Sequence, residues 1–189
     1  MKKCIVAITG ASGSLYAERL LARLARQDAV VHAVISEAGR KVLAIETGKT
    51  PAQLDGVARW FDAADFTAPM ASGSCRYDAM VVVPCTMGTL AAIASGNGRN
   101  LIHRAADVML KERRPLILAV RETPLSRVHL QNMLAAHDAG AVICPAMPAF
   151  YTQPTSLTEM ADQYAGRLAE LMGFAVDDLP RWQGSGSEG

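Results

Sequence analysis

Two short segments pair small residues with hydroxyls where an apolar run gives way to a helical pattern. They are Gly10-Ala11-Ser12-Gly13 and Pro84-Cys85-Thr86-Met87-Gly88-Thr89. Small side chains let a ligand approach the backbone, and the N–H groups of a helix start attract an anion, so each segment is a candidate phosphate cradle. The alternative is a tight turn that uses glycine for its geometry. Two such cradles in one chain fit a nucleotide-like ligand better than two accidental turns. Ser36 follows another apolar run, and by itself reads as the N-cap of the next helix; Glu46, ten residues on, reads as a solvated carboxylate near that helix's end. Cys85 at a helix start has the setting of a thiolate nucleophile, but no histidine is near it in sequence and packing is the better reading.

Cations supply the second kind of chemistry. Arg104, Asp107 and Lys111 stand at i, i+3 and i+7, on one stripe of a helix. Such a stripe is ordinarily a salt-bridged, solvated face. Here Leu101, Ile102, Ala106, Met109 and Leu110 make the other faces apolar, so the helix is expected to be buried on most sides and its two cations to want a partner, which a phosphate would provide. Ala71-Ser72-Gly73-Ser74 is a flexible loop or a hydroxyl-bearing edge of a site. Arg121-Glu122-Thr123-Pro124 follows an apolar run, placed for ligand contact or for an ion pair with a neighbour.

The elements that must position these residues alternate. Cys4–Thr9, Ala29–Ile35, Ala79–Val83 (ending at Pro84), Pro115–Val120 and Ala141–Cys144 are short apolar runs rich in β-branched residues, the pattern of strands buried on both faces. Helical spacing fills the gaps: the Ala17–Ala25 stretch, Glu37–Glu46, Thr86–Ser95, Asn100–Arg113, a helix begun by Thr123-Pro124 and ending near Gly140, and a last helix opened by the capping-box pattern Ser156-x-x-Glu159. Strand followed by helix, repeated, means right-handed βαβ units and a three-layer α/β domain with a parallel sheet and helices on both faces. One domain spans residues 1–182; the polar Gly/Ser stretch 183–189 is expected to be a disordered tail. In such sheets ligands sit beyond the carboxyl ends of the strands, which is where the hydroxyl-bearing segments fall.

Composition narrows the function classes. The chain has 189 residues, 50% hydrophobic and 20% charged, which excludes intrinsic disorder for most of its length. A formal net charge of +1 is too small for a grip on nucleic-acid backbone. No apolar run reaches the roughly 18–20 residues of a membrane span, and the run after Met1-Lys2-Lys3 stops at Thr9-Gly10, short of the about 7–15 residues of a secretory core. The expected compartment is the cytoplasm. Cys4, Cys75, Cys85 and Cys144 form no Cys-x-x-Cys pair, and His32, His103, His129 and His137 no ligand grouping, so no metal is expected. The apolar surplus on the Asn100–Arg113 helix predicts an obligate oligomer.

Taken in order, these segments resemble the UbiX-type flavin prenyltransferases. The resemblance runs from Ile5 to Trp182 and includes Gly10-Ala-Ser-Gly13, Ala71-Ser-Gly-Ser74, Pro84-Cys-Thr-Met-Gly-Thr-Leu90, Arg104-Ala-Ala-Asp-Val108, Leu110-Lys-Glu-Arg-Arg114, Arg121-Glu-Thr-Pro-Leu125, His129-Leu-Gln-Asn-Met133 and Pro148-Ala-Phe-Tyr151. It implies a flavodoxin-like (Rossmann-like) sheet assembled into a dodecamer. It also implies joining of the dimethylallyl group of dimethylallyl phosphate to N5 and C6 of reduced FMN, the product being the cofactor of a UbiD-type decarboxylase. By position, Gly10, Ala11, Ser12, Ser36, Thr86, Met87, Gly88, Thr89 and Arg121 match FMN contacts. Ser72, Arg104, Lys111, Tyr151 and Arg167 match residues around the prenyl phosphate, and Ser12, Glu46 and Glu122 match positions implicated in proton handling.

Physical chemistry fits these roles. Lys111, Arg104 and Arg167 would stabilise charge on a leaving phosphate, Tyr151 and Trp182 offer faces to a cation-like prenyl group, and Glu122 or the released phosphate could take the C6 proton. The chain departs from the family in having Phe66 where some members carry Trp, and Thr86 where Ser is usual. Two other readings compete. One is a flavin-dependent cysteine decarboxylase of related fold, whose Pro-x-Met-Asn-x-x-Met-Trp segment is here Pro145-Ala-Met-Pro-Ala-Phe-Tyr151. The other is an FMN-carrying subunit of a decarboxylase complex, which would need no second phosphate site.

Overall fold

The structure is a computed structural model that describes residues 1–182 and 184; the expected tail therefore lies outside the described residues, Gly184 apart. Six parallel strands form one sheet: β1 (Lys2–Ile8), β2 (Ala29–Ile35), β3 (Arg59–Phe61), β4 (Ala79–Cys85), β5 (Leu116–Val120) and β6 (Val142–Ile143), in the order β3-β2-β1-β4-β5-β6. The chain moves outward from β1 through β2 to β3, then crosses back to β4, so the direction reverses between β1 and β4. That reversal opens a crevice at the carboxyl ends of these two strands.

Helices α1 (Ser14–Leu24), α2 (Glu37–Thr47), α3 (Met87–Ala94), α4 (Leu101–Lys111), α5 (Arg127–Asp138) and α6 (Leu157–Leu171) cover both faces. Alternate β1 residues point to opposite layers. Cys4, Val6 and Ile8 join α1 and α6 in one core, and Ile5 and Ala7 join α3 and α4 in the other. Burial on both faces is why β1 reads as an unbroken apolar run. α1 and α6 are also tied by charge: Arg19 and Arg23 both reach Asp162, at 3.0 and 2.7 Å.

Several boundaries differ from the sequence reading. β1 begins two residues earlier than expected and β4 continues through Pro84 to Cys85, with a register shift against β5 after Val82. β3 has only three residues, too few for a periodic signal, and β6 shrinks to two. Thr123-Pro124 does not start a helix. The start is three residues on, where Ser126 Oγ accepts the His129 N–H at 3.3 Å and His129 Nδ1 accepts the Ser126 N–H at 3.2 Å, a capping box with histidine in the usual glutamate position. At α6 only half the expected box forms. Ser156 Oγ accepts the Glu159 N–H, but the Glu159 carboxylate turns to the Thr155 N–H and hydroxyl. α4 does not carry the apolar surplus either, because Leu101, Ile102, Ala105, Ala106, Val108 and Met109 are buried on the sheet. Exposed apolar side chains gather around α5 instead, at Leu125, Val128, Leu130 and Leu134.

Candidate active site

The crevice is assembled by hydrogen bonds between strand ends. The Thr9 hydroxyl donates to Pro84 O at 2.7 Å and accepts the Thr86 N–H at 2.9 Å, locking the segment after β1 to the segment after β4. Ser36 N–H donates to Ile8 O and Arg121 N–H to Cys85 O, which bring the ends of β2 and β5 alongside. The Arg121 guanidinium then reaches across to Ser12 O at 3.1 Å. Gly10, Ala11, Ser12, Ser36, Thr86, Met87, Gly88, Thr89 and Arg121 thus share one edge of the sheet.

The two cradles differ. At α3, Thr86 Oγ1 caps the helix by accepting the Thr89 N–H at 3.1 Å. The first-turn N–H groups of Met87 and Gly88 have no acceptor within the helix, and a Cβ on Gly88 would meet nothing within 4 Å. This cradle is open. At α1 the anion is already supplied by the protein: Glu46 accepts the Gly13 N–H at 3.0 Å and the Ser14 N–H at 2.7 Å. Glu46 is therefore not the free solvated carboxylate that its position suggested. Burial pushes its pKa up, but hydrogen bonds from the Ser12 hydroxyl and the Ser14 and Gly13 amides outweigh this and hold it below the ordinary carboxylate range. The glycines here serve geometry. Gly13 has φ 118°, and a Cβ on Gly10 would lie 2.5 Å from that of Ala38. Ser36 does cap α2, accepting the Gly39 N–H at 3.0 Å. Cys85 is fully buried and its thiol is pushed up to about 12, so it packs rather than attacks.

A second cluster lies along α4. Arg104 Nε donates to Ala71 O at 3.0 Å while its Nη1 meets Asp107 at 2.6 Å. Lys111 pairs with Glu112, and Arg114 donates to Gly73 O and Cys75 O at 3.0 and 3.2 Å. The 71–75 segment, with Ser72, is thereby held against the cationic stripe. A Cβ on Gly73 would meet the ends of the Glu112 and Lys111 side chains, so these two charged groups lie directly over the segment. The salt-bridged reading and the binding reading of the stripe coexist, since the ion pairs are half-exposed.

A third cluster surrounds a cavity of about 550 Å³ beside α6; Tyr151, Arg167, Arg181 and Trp182 line it together with Gln163 and Glu170. The Tyr151 and Trp182 rings meet edge to face at 5.5 Å between centroids. α4 and α6 lie on opposite faces of the sheet. The structure therefore separates the expected prenyl-phosphate residues into two sets, Ser72, Arg104 and Lys111 on one side and Tyr151, Arg167 and Trp182 on the other. Glu122 is exposed at the end of β5 and accepts the Thr123 N–H at 3.0 Å. Sequence reasoning passed over Thr9, counted as the end of a strand, and Arg181 and Glu170, which stand in no recognisable motif.

The model of the Flavoprotein family matches residues 1–172. The flavin prenyltransferase UbiX of Methanothermobacter thermautotrophicus is 46% identical over 185 residues, covering 97% of each chain. This chain belongs to the UbiX family of flavin prenyltransferases. A crystal structure of the UbiX-family protein AnUbiX (PadA1), in complex with FMN and dimethylallyl pyrophosphate, superposes with a TM-score of 0.94 at 44% identity, covering 97% of this chain and 98% of that one. A dodecameric FMN-dependent UbiX-like decarboxylase from Escherichia coli O157:H7 gives 0.93 at 38% identity, covering 96% and 100%. The flavodoxin-like architecture expected from the UbiX resemblance is the one observed.

Proposed function

We propose that this UbiX-family chain binds reduced FMN at the β1–β4 crevice and transfers to it the dimethylallyl group of dimethylallyl phosphate, making prenylated FMN for a UbiD-type decarboxylase. The observation that carries the reading is the presence of two cationic clusters apart from the crevice. A protein that only stores or delivers FMN has no use for Arg104 and Lys111 beside Ser72, or for Arg167 in a cavity walled by Tyr151 and Trp182.

The residues fit the flavin. The open α3 cradle, the Thr86 and Ser36 hydroxyls and the Arg121 guanidinium supply donors and a charge, and the space over Gly88 leaves room for a ring system or a phosphate. Bound reduced FMN supplies the nucleophilic N5 and C6 positions. The protein's part is to hold, neutralise and move protons. Lys111, Arg104 and Arg167 offset the charge that grows on the leaving phosphate. Tyr151 and Trp182 face the cation-like prenyl group. Glu46, kept ionised by Ser12 and two amides, fixes the orientation of the Ser12 hydroxyl by accepting its hydrogen bond, and Glu122 or the released phosphate would take the C6 proton.

The two cationic clusters lie on opposite faces of one chain, and α5 leaves Val128, Leu130 and Leu134 exposed. Both facts support a homo-oligomer, the dodecamer of the family, in which one copy's stripe meets another copy's cavity. Among the described residues no helix is long and apolar enough to cross a membrane, and no cluster of three or more histidine, cysteine, aspartate or glutamate side chains could hold a metal. The working compartment proposed is the cytoplasm. A complementation assay tests the function: small molecules released from this protein after incubation with reduced FMN and dimethylallyl phosphate should activate a cofactor-free UbiD-type decarboxylase. Release of plain FMN alone would favour the carrier reading.

A further inference from the structure

The segment after α6 is docked back onto that helix by two separate contacts and onto Tyr151 by a third. Leu179 lies over Gly166, where a Cβ would stand 2.5 Å from Leu179 Cδ2 and 2.9 Å from its Cγ. Glycine in a helix interior is unfavourable relative to alanine by about 1 kcal/mol, yet α6 carries one at the position Leu179 covers. Arg181 Nη2 meets Glu170 Oε1 at 2.7 Å and also donates to Val176 O at 3.3 Å. Trp182, the next residue, rests on Tyr151. The other Glu170 oxygen, Oε2, meets Arg167 Nη1 at 3.1 Å. One carboxylate thus spans two guanidinium groups in the cavity wall. Its side chain is only 17% exposed. Burial alone would raise its pKa, but hydrogen bonds from Arg167 and Arg181 keep it ionised.

We infer that Glu170 and Arg181 are positioning residues for the prenyl substrate: their ion pair, seated by the Leu179–Gly166 contact, holds Arg167 and Trp182 in place on the cavity. The inference rests on reading this cavity as the prenyl-phosphate site. Glu170 itself is the wrong charge for an anion's neighbour. Electrostatics alone predicts that a phosphate would bind better without it, whereas a clasp predicts that it would bind worse.

Glu170→Gln separates the two. In steady-state prenyl transfer the clasp predicts about a tenfold rise in KM for dimethylallyl phosphate, the loss expected from a charged hydrogen bond of about 1.4 kcal/mol, with unchanged FMN affinity. A lower KM overturns the inference. Arg181→Ala, an exposed change that leaves the core intact, should raise KM similarly, and Arg181→Lys, which keeps the ion pair, should recover most of it. Gly166→Ala alters no charge but displaces Leu179, and should also raise KM. An independent readout comes from the chain's two tryptophans, Trp60 and Trp182. In a Trp60→Phe background, the fluorescence anisotropy of Trp182, which the Tyr151 contact restrains, should fall in Arg181→Ala and Gly166→Ala. Wild-type protein that transfers no prenyl group would sink the reading of the cavity and this assignment with it. Wild-type transfer, with unchanged KM and unchanged Trp182 anisotropy in the variants, would overturn the assignment alone.

Discussion

Glu46 Oε2 lies 2.7 Å from the backbone nitrogen of Ser14, so a carboxylate on α2 caps the first turn of α1. The contact places an anion where the helix dipole favours one and joins two helices that flank the β1 end of the crevice. Its pKa is depressed in the folded chain, so its stabilisation is full above the ordinary carboxylate value and is lost as pH falls through the lower folded value. Glu46→Gln should therefore cost about 0.5–1 kcal/mol at pH 7, and the difference from wild type should shrink steadily as pH falls below about 4.5. Urea denaturation at neutral and acidic pH measures it, and a pH-independent difference would remove Glu46 from the capping role.

Lys111 tests the α4 stripe. If the stripe faces a leaving phosphate, Lys111→Ala should slow prenyl transfer by about 100–1000-fold, roughly 3–4 kcal/mol, and leave FMN affinity unchanged because the crevice is built from other strand ends. A lysine that only pairs with Glu112 at the surface would change stability and rate by less than about 0.5 kcal/mol. Transfer rate and FMN affinity measured on the same variant distinguish the two.

Cys85 ends β4 at the mouth of the α3 cradle, yet it is fully buried with its thiol raised to about 12. Cys85→Ala should keep prenyl transfer within a few-fold of wild type. Cys85→Ser should destabilise by about 1–3 kcal/mol through its buried hydroxyl. A thiol reagent should label Cys85 only after denaturation. Rapid labelling of the native protein at this residue would contradict its packing role.

Leu134 is 61% exposed on α5, one turn after the exposed Leu130. Leu130 and Leu134 together extend an apolar strip along one face of α5, and such a strip is expected to be covered by another copy. Leu134→Glu should dissociate the oligomer in light scattering and abolish transfer while FMN affinity survives. A wild-type protein that is monomeric at micromolar concentration would contradict the shared site.

Much of this architecture is legible in the residues. The Ala29–Ile35 run forms β2 with those bounds because its valines and isoleucine favour a strand and its carboxyl half is buried on both faces. The strand-end hydroxyls of Ser12, Ser36 and Thr86 fall together because parallel strands present their carboxyl ends on one edge. What the residues could not disclose depends on chain-distant partners. Glu46 looked solvated because nothing in its own helix shows that Gly13 and Ser14 await it. The β3 strand exists through pairing of Arg59–Phe61 with His32–Val34 rather than through any pattern of its own. Arg104 and Arg167 look like parts of one phosphate site in sequence. They stand on opposite faces because the sheet grows outward from β1 in two directions: α1 and α2 cover one face, α3, α4 and α5 the other, and α6 packs back on the first.

The central claim is a covalent prenylation of the flavin, and the mass of the flavin tests it most directly. Purified protein incubated with reduced FMN and dimethylallyl phosphate, then denatured to release its ligand, should yield flavin heavier than FMN by one dimethylallyl unit, with an altered absorbance spectrum. The signal should fall sharply in Lys111→Ala. Recovery of unmodified FMN alone from folded, oligomeric, FMN-binding wild-type protein would contradict the account.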